Sequence, residues 1–333
     1  MTAIGGGPGR GRILVTGGAG FIGSHLCEAL TARGAEVVAF DSFDPFYPRA
    51  VKERNLAGLA GGDRFRLVEG DLRDPAAVHA AFDEGPFDAV AHLAARAGVR
   101  PSLEDPGGYV SANIEGTAVL LEAMRRAGCS RLVFGSSSSV YGNSREVPLR
   151  ESDRVDRPIS PYAMTKKAGE ELCHVYHHAY GFSVMSLRFF TVYGPRQRPD
   201  MAIHRFVARM EEGSPIPVYG DGTTERDYTY VSDIVAGVEA AVGWVQREAG
   251  FEIVNLGGSV PVRLDDLIAE LAEATGREPR IERFPMPIGD VERTCADIGR
   301  ARELLGYHPS TGIREGVQAF VRWYREVAPA GSP

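Results

Sequence analysis

The chain has 333 residues, 44% hydrophobic and 24% charged, enough to bury a sizeable core in one large domain or two intimate ones. Its formal net charge of -7 gives no global basic field for nucleic acid or an anionic membrane, so any phosphate site has to be built locally. No apolar run reaches the roughly 18–20 residues of a membrane span, and the N-terminal MTAIGGGPGRGR, without the apolar centre of a signal peptide, reads as a flexible glycine-rich leader. Cys27, Cys129, Cys173 and Cys295 are scattered without metal-ligand spacing and read as reduced thiols of a cytoplasmic protein, with no disulfide framework and no metal site.

In chain order, RILVTGG (12–18) is an apolar strand ending in glycines, and FIGSHLCEALTARG is a helix stopped by Gly34. AEVVAFD and RFRLVEGD are the second and third strands. DPAAVHAAFDEG is a helix with Asp74 as its N-cap and Pro75 at its first position. FDAVAHLAA is the fourth strand, NIEGTAVLLEAMRRAG a helix, RLVFGSSS the fifth strand, SPYAMTKKAGEELCHVYHHAYG a long helix and FSVMSLRFFTVYG the sixth strand. Nearly all-apolar strands alternating with helices predict a parallel sheet covered on both faces. After Gly194 the rhythm breaks at Pro195, Pro199, Pro215 and Pro217. YTYVSDIVAGVEAAVGWV then reads as strand plus helix, FEIVNLGG as a strand, LDDLIAELAEATG as an amphipathic helix, and the tail as two helices around a proline turn. There is no internal repeat and no low-complexity tract.

Gly17, Gly20 and Gly23, with Phe21 and Ile22 between the last two, form G-x-x-G-x-x-G where the first strand meets its helix. Absent side chains let the backbone approach a pyrophosphate, and the helix N-terminus supplies N–H donors. Asp41 ends the second strand 18 residues beyond Gly23, where a carboxylate accepts from adenosine ribose hydroxyls and repels a 2′-phosphate, favouring NAD over NADP. Asp71 ends the third strand, and either reaches the adenine amino group or caps a turn. Leu72 follows it. Leu93, Ala94 and Ala95 end the fourth strand with small side chains that leave room for a flat cofactor, or pack. The expectation is an α/β, Rossmann-type doubly wound parallel sheet over 1–190, the NAD-binding part, with later returns near 228–257. A smaller C-terminal α/β lobe over 191–333 would bind the substrate.

Tyr162 and Lys166 form Y-x-x-x-K, which a helix places on one face. A phenol near pKa ~10 is a poor base at neutral pH, and a neighbouring ammonium favours its phenolate. The Ser136–Ser139 run, followed by Val140-Tyr141-Gly142, ends the fifth strand at the edge where parallel sheets bind ligands, so that Ser137 can share a proton with Tyr162.

Taken in order, these motifs resemble the extended short-chain dehydrogenase/reductase family of NAD-dependent sugar epimerases and dehydratases, over roughly residues 12–327. The resemblance implies bound NAD, a nucleotide-sugar substrate, Tyr162, Lys166 and Ser137 as catalytic residues, and Asn113 supporting the active-site helix. It also implies Arg226 on the diphosphate and a homodimer built from the helices carrying Tyr162 and NIEGTAVLLEAM. His174, His177 and His178, with no carboxylate to complete a metal cluster, would sit near that contact.

Ser138-Ser139 stand where the family's dehydratases carry Asp-Glu, and Ser139 where its decarboxylases carry Glu. The stretch from Arg188 to Ala202, with AGVRPSLEDP and GDVERTCADI, is similar to UDP-glucuronate 4-epimerases, which implies transient oxidation at C4 through a 4-keto sugar. Arg198, Thr191 and the hydroxyls of Ser137, Ser138 and Ser139 would hold the C6 carboxylate, and Asp290 the uridine end. Arg293 serves either the diphosphate or a surface ion pair. Arg196-Gln197 departs from that subfamily, which has a bulky apolar residue and Gly there, and would alter the entrance or the accepted sugar. The competing readings are an epimerase for a neutral UDP-hexose or UDP-N-acetylhexosamine, a UDP-glucuronate decarboxylase, and a silent NAD-sensing scaffold. Intact Tyr162, Lys166 and Ser137 argue against the last.

Overall fold

A computed structural model of the chain describes residues 10–328 apart from Glu84, Arg145 and residues 287–290. Among the described residues, twelve strands form three sheets. They are β1 (Arg12–Thr16), β2 (Glu36–Asp41), β3 (Phe65–Glu69), β4 (Ala89–His92), β5 (Arg131–Ser137), β6 (Ser183–Phe189), β7 (Thr191–Tyr193), β8 (Ile216–Tyr219), β9 (Glu225–Tyr230), β10 (Phe251–Leu256), β11 (Pro261–Arg263) and β12 (Ile281–Phe284). The central sheet runs β10-β6-β5-β4-β1-β2-β3, and every neighbouring pair in it is parallel. The chain leaves β1 in one direction through β2 and β3 and in the other through β4 to β10. The carboxyl ends of β1 and β4 therefore flank the crevice where open sheets of this kind take ligands.

Period-two alternation feeds two cores. Ile13, Val15, Val37, Ala39 and Met185 face one side, under the helices Phe21–Ala32 and Val231–Arg247. Leu14, Val38, Val90, Leu132 and Val184 face the other, under Pro75–Asp83, Gly116–Arg126 and Pro161–Tyr180. The edge strand β3 departs from the expected double burial, for Arg66, Leu67 and Glu69 are exposed. A third core, with Phe206, Leu267, Leu271 and Phe320, belongs to the lobe. There β7, β9 and β11 make one small sheet and β8 and β12 a second.

The sixth predicted strand is two strands. The chain breaks at Phe190, so β6 pairs with β5 in the main sheet while β7 pairs with β9 in the lobe. The return to the main sheet is made by the helix Val231–Arg247 and by β10, and β9 stays with the lobe. The predicted helix NIEGTAVLLEAMRRAG starts earlier: Pro106–Val110 is helical, Ser111–Glu115 is a π-helical turn, and Gly116–Arg126 continues as α-helix. The long helix Pro161–Tyr180 begins as its sequence dictates. Ser160 Oγ accepts from Ala163 N at 3.1 Å, Pro161 occupies the first position, and Gly181 closes the helix at φ 70°. No helix among the described residues is long and apolar enough to cross a membrane.

Candidate active site

One cleft of about 890 Å³ opens over the carboxyl ends of the central strands and is lined continuously from Gly17 and Asp41 through Tyr162 to Arg198 and Arg226. Its end near β1 is shaped by missing side chains. A Cβ on Gly17 would lie 2.8 Å from Ala94 backbone atoms, and one on Gly23 would lie 2.1 Å from Gly17 O. Ala94 thus packs its backbone against the turn, with its N–H on Thr16 Oγ1 at 3.2 Å, and Leu93 and Ala95 line the cleft beside it. Gly20 caps the helix Phe21–Ala32 in extended conformation and brings no side-chain acceptor, so the first-turn N–H groups, Phe21 and Ile22 included, have no side-chain cap. Such a cradle suits a diphosphate.

Asp41 is buried at the rim of this cradle. Its Oδ1 accepts from Phe43 N at 2.8 Å and Lys52 Nζ at 3.1 Å, and its Oδ2 from Ala19 N at 3.1 Å. Lys52 is a residue the sequence reading missed. No motif marks it, and only the fold of the 42–56 segment brings it under Asp41. Asp71 is forked by Arg73, also missed, with contacts of 2.9 and 2.6 Å. Those bonds hold the carboxyl below its ordinary range. Leu72 lies against Gly116.

At the centre, burial pushes the Tyr162 phenol up, and a hydrogen bond with Ser137 and the charge of Arg198 pull it back. Lys166 donates to Gly135 O at 2.7 Å and stands 6.0 Å from the Tyr162 ring centroid, and burial lowers its own pKa to about 8. The charge of Arg198 reaches the phenol as well.

The serine run divides its work. Ser136 turns inward to Glu170 Oε1 at 2.6 Å, where Glu170 is forked by Arg188 at 2.9 Å twice, both side chains 1% exposed. Ser137 also accepts from Ser139 N at 3.2 Å. Ser138 and Ser139 line the cleft, and Ser139 Oγ is buried with no partner among the described residues.

Behind the site runs a buried chain that sequence spacing did not reveal. Thr117 Oγ1 donates to Asn113 O at 2.6 Å, so it accepts from His92 Nε2 at 2.9 Å. His92 Nδ1 then accepts from Thr16 Oγ1 at 2.7 Å. Burial drives His92 down to about 3, keeping it neutral. Asn113, in the π-helical turn, clamps Arg96 N and O at 2.8 and 2.9 Å and reaches Thr165 Oγ1 on the Tyr162 helix at 3.0 Å.

At the opposite end of the cleft, Thr191 opens β7 and Arg198 follows in the loop after it. Arg198 grips Asp200 through Nε at 2.9 Å and Nη2 at 2.7 Å, and Nη2 also meets Ala97 O at 3.4 Å. Arg226 Nη1 donates to Glu225 O and Glu292 O at 3.0 and 3.3 Å. Arg293 pairs with Glu225 at 2.7 Å while lining the cleft. Asp290 lies outside the described residues. Arg196 points away, onto Glu28 at 2.6 Å, whereas Gln197 turns inward, its Nε2 on Val192 O at 3.1 Å. His174 and His177 pack on Phe251, with ring centroids 5.0 and 6.1 Å apart. No group of three His, Cys, Asp or Glu among the described residues is arranged to hold a metal.

The model of the NAD dependent epimerase/dehydratase family matches residues 13–257. The chain belongs to that family and is an NAD-dependent enzyme of the epimerase type. It is 40% identical to a probable UDP-glucuronate 4-epimerase of Rhizobium meliloti, over 94% of this chain and 96% of that protein. Its structure is similar to UDP-glucuronic acid 4-epimerase of Bacillus cereus in complex with UDP-glucuronic acid and NAD, with a TM-score of 0.88 and 38% identity over 95% and 99% of the two chains. It is also similar to the UDP-glucose 4-epimerase of Thermus thermophilus in complex with NAD, with a TM-score of 0.85 and 35% identity over 95% and 100%.

Proposed function

We propose that this chain interconverts UDP-glucuronate and UDP-galacturonate by inversion at C4 of the sugar. The observation that carries the reading is the Arg198 guanidinium, held in the same cleft as Tyr162 and acting on its phenol, with Thr191, Ser138 and Ser139 lining the same space. The similarity to the Bacillus cereus enzyme bound to UDP-glucuronic acid supports it.

The turn at Gly17, Gly20 and Gly23, with Phe21 and Ile22, is assigned to the diphosphate of NAD. Asp41 takes the adenosine ribose, and Asp71 and Leu72 the adenine. Leu93, Ala94 and Ala95 form the wall, and Lys166 holds the nicotinamide ribose. NAD bound there supplies reversible two-electron oxidation of a ring carbon. Tyr162 takes the proton of the C4 hydroxyl and returns it, sharing it with Ser137. The Ser137 bond and the Arg198 charge oppose the cost of burying a phenolate. Arg226 and Arg293 serve the diphosphate, and Asp290 the uridine end.

The C4 ketone formed in the cycle is β to the C6 carboxylate, an arrangement prone to lose carbon dioxide. Arg198, Thr191, Ser137, Ser138 and Ser139 hold that carboxylate with its scissile bond out of line with the carbonyl π system. Ser139 Oγ, buried without a partner, gains one there. No carboxylic acid stands at Ser138 or Ser139 to drive elimination.

One observation favours a neutral sugar instead: Asp200 already occupies Arg198. Incubating the NAD-loaded protein with UDP-glucuronate separates the readings. UDP-galacturonate without steady accumulation of NADH is the expected result. A pentose product would assign a decarboxylase, and turnover of UDP-glucose alone a neutral-sugar epimerase. Tyr162→Phe should cost about 10²–10⁴ in kcat with NAD still bound.

The assembly we propose is a homodimer through the helices Gly116–Arg126 and Pro161–Tyr180; Val175 and Tyr180 on the second are exposed. A cytoplasmic setting agrees with Cys27, Cys129, Cys173 and Cys295, all free thiols.

A further inference from the structure

We infer that Asp200 is a positioning residue of the sugar end: its carboxylate fixes the orientation of Arg198 and sets the net charge that Tyr162 meets. The inference rests on the reading that Arg198 receives the sugar carboxylate.

Arg198 and Asp200 are separated only by Pro199, whose ring locks φ and narrows the ways the two side chains can meet. Asp200 takes the Nε–Nη2 edge of the guanidinium with two bonds, at 2.9 and 2.7 Å. Ala97 O takes a further Nη2 contact at 3.4 Å, and the Phe46 ring lies under the guanidinium with its centroid 5.4 Å away. A guanidinium has five N–H donors in a fixed fork. Three are thereby committed, and the two on Nη1, without a hydrogen-bond partner among the described residues, remain for an incoming anion. Without Asp200, the substrate carboxylate would compete for either edge, and the C6 group would no longer have one place to sit.

The same pair sits beside the phenol. Tyr162 is faced by Ser137 from β5, by Arg198 and behind it Asp200 from the segment after β7, and by the Tyr109 ring at 6.2 Å. Arg96, paired with Asp105, stacks on Tyr109 at 5.3 Å. Lys166 comes from its own helix, and Tyr47 borders Arg198. Asp200 is the carboxylate in contact with the cation that acts on the phenol. Removing its charge leaves Arg198 uncompensated and favours the phenolate.

The test uses NAD-loaded wild type, Asp200→Asn, Asp200→Glu, Arg198→Ala and the Asp200→Asn/Arg198→Ala double variant. Asp200→Asn should raise KM for UDP-glucuronate severalfold. It should also move the acid limb of the kcat–pH profile down by roughly half a unit. Asp200→Glu should restore both toward wild type, and the double variant should behave as Arg198→Ala. An acid limb that stays in place, or effects of the two substitutions that multiply, would overturn the inference. If wild type does not convert UDP-glucuronate, the substrate reading has failed by itself. The charge-setting role is then read from the Tyr162-dependent phenolate absorbance of NAD-loaded protein, taken against Tyr162→Phe. That titration must still fall in Asp200→Asn, or the inference falls too.

Discussion

At the coenzyme end of the cleft a single methyl has nowhere to go: a Cβ on Gly23 would sit 2.1 Å from a backbone oxygen. At the sugar end the fixtures are long charged side chains, and Arg198 keeps its place through Asp200, a carbonyl and a ring face. Backbone geometry binds any diphosphate of the right shape and changes little with pH or ligand. A guanidinium held on one edge by a carboxylate keeps its other donors for a ligand, so on the proposed reading selectivity among sugars and coupling to the phenol reside there.

Gly23→Ala breaks the backbone end outright. The added Cβ must push Gly17 O away and distort the turn assigned above to the diphosphate, so the purified variant should carry no NAD and show no turnover, read from the coenzyme released on denaturation. Retention of NAD at wild-type occupancy would contradict this account of the turn. The two ion pairs then sharpen the comparison. Glu170→Gln leaves Arg188 buried with an uncompensated charge, and breaking such a pair costs about 3–5 kcal/mol. Asp200→Asn breaks a pair whose partners are 18% and 37% exposed, so it should stay within about 1 kcal/mol of wild type in denaturant unfolding.

Most of the geometry at the glycine-turn end of the cleft was legible in the sequence because its signals are local. Gly17, Gly20, Gly23 and Asp41 fall at fixed offsets from apolar strands, and Tyr162 and Lys166 share a helix face by spacing alone. What was missed joins residues far apart. Thr16 and His92 are 76 positions from each other, and Glu170 meets Arg188 across a helix and a strand. The passage from β6 to β7 was read as one strand because Phe190 carries no glycine or proline to mark a change of sheet. The π-helical turn at Asn113 escaped for a related reason, since apolar periodicity scarcely registers one widened turn. The pairing of Tyr162 with Lys166 is legible from spacing, which says nothing of Arg198 arriving from the other lobe.

His92 sharpens the contrast from behind the site. Its folded pKa of about 3 lies below the ordinary 6.5, so in acid the unfolded chain takes up the proton first. Stability tied to this residue is present above about pH 6.5 and is lost as pH falls toward 3, by on the order of 5 kcal/mol. His92→Gln cannot titrate and should flatten the fall in unfolding free energy between pH 6 and 4. An unchanged slope would mean that His92 is not the group responsible.

The last effect bears most directly on substrate. Arg198→Ala removes the cation from the sugar end and leaves the glycine turn untouched, so NAD occupancy should not change. A hydrogen bond to a charged group contributes about 1.5–3 kcal/mol, so kcat/KM for UDP-glucuronate should fall roughly 10–100-fold more than that for UDP-glucose. The phenol loses its helper with either sugar, so both should lose some kcat at low pH, and only the difference between them reports on the C6 group. Equal losses would leave Arg198 with its effect on Tyr162 alone and would transfer the choice of sugar to Thr191, Ser138, Ser139 and the inward-turned Gln197.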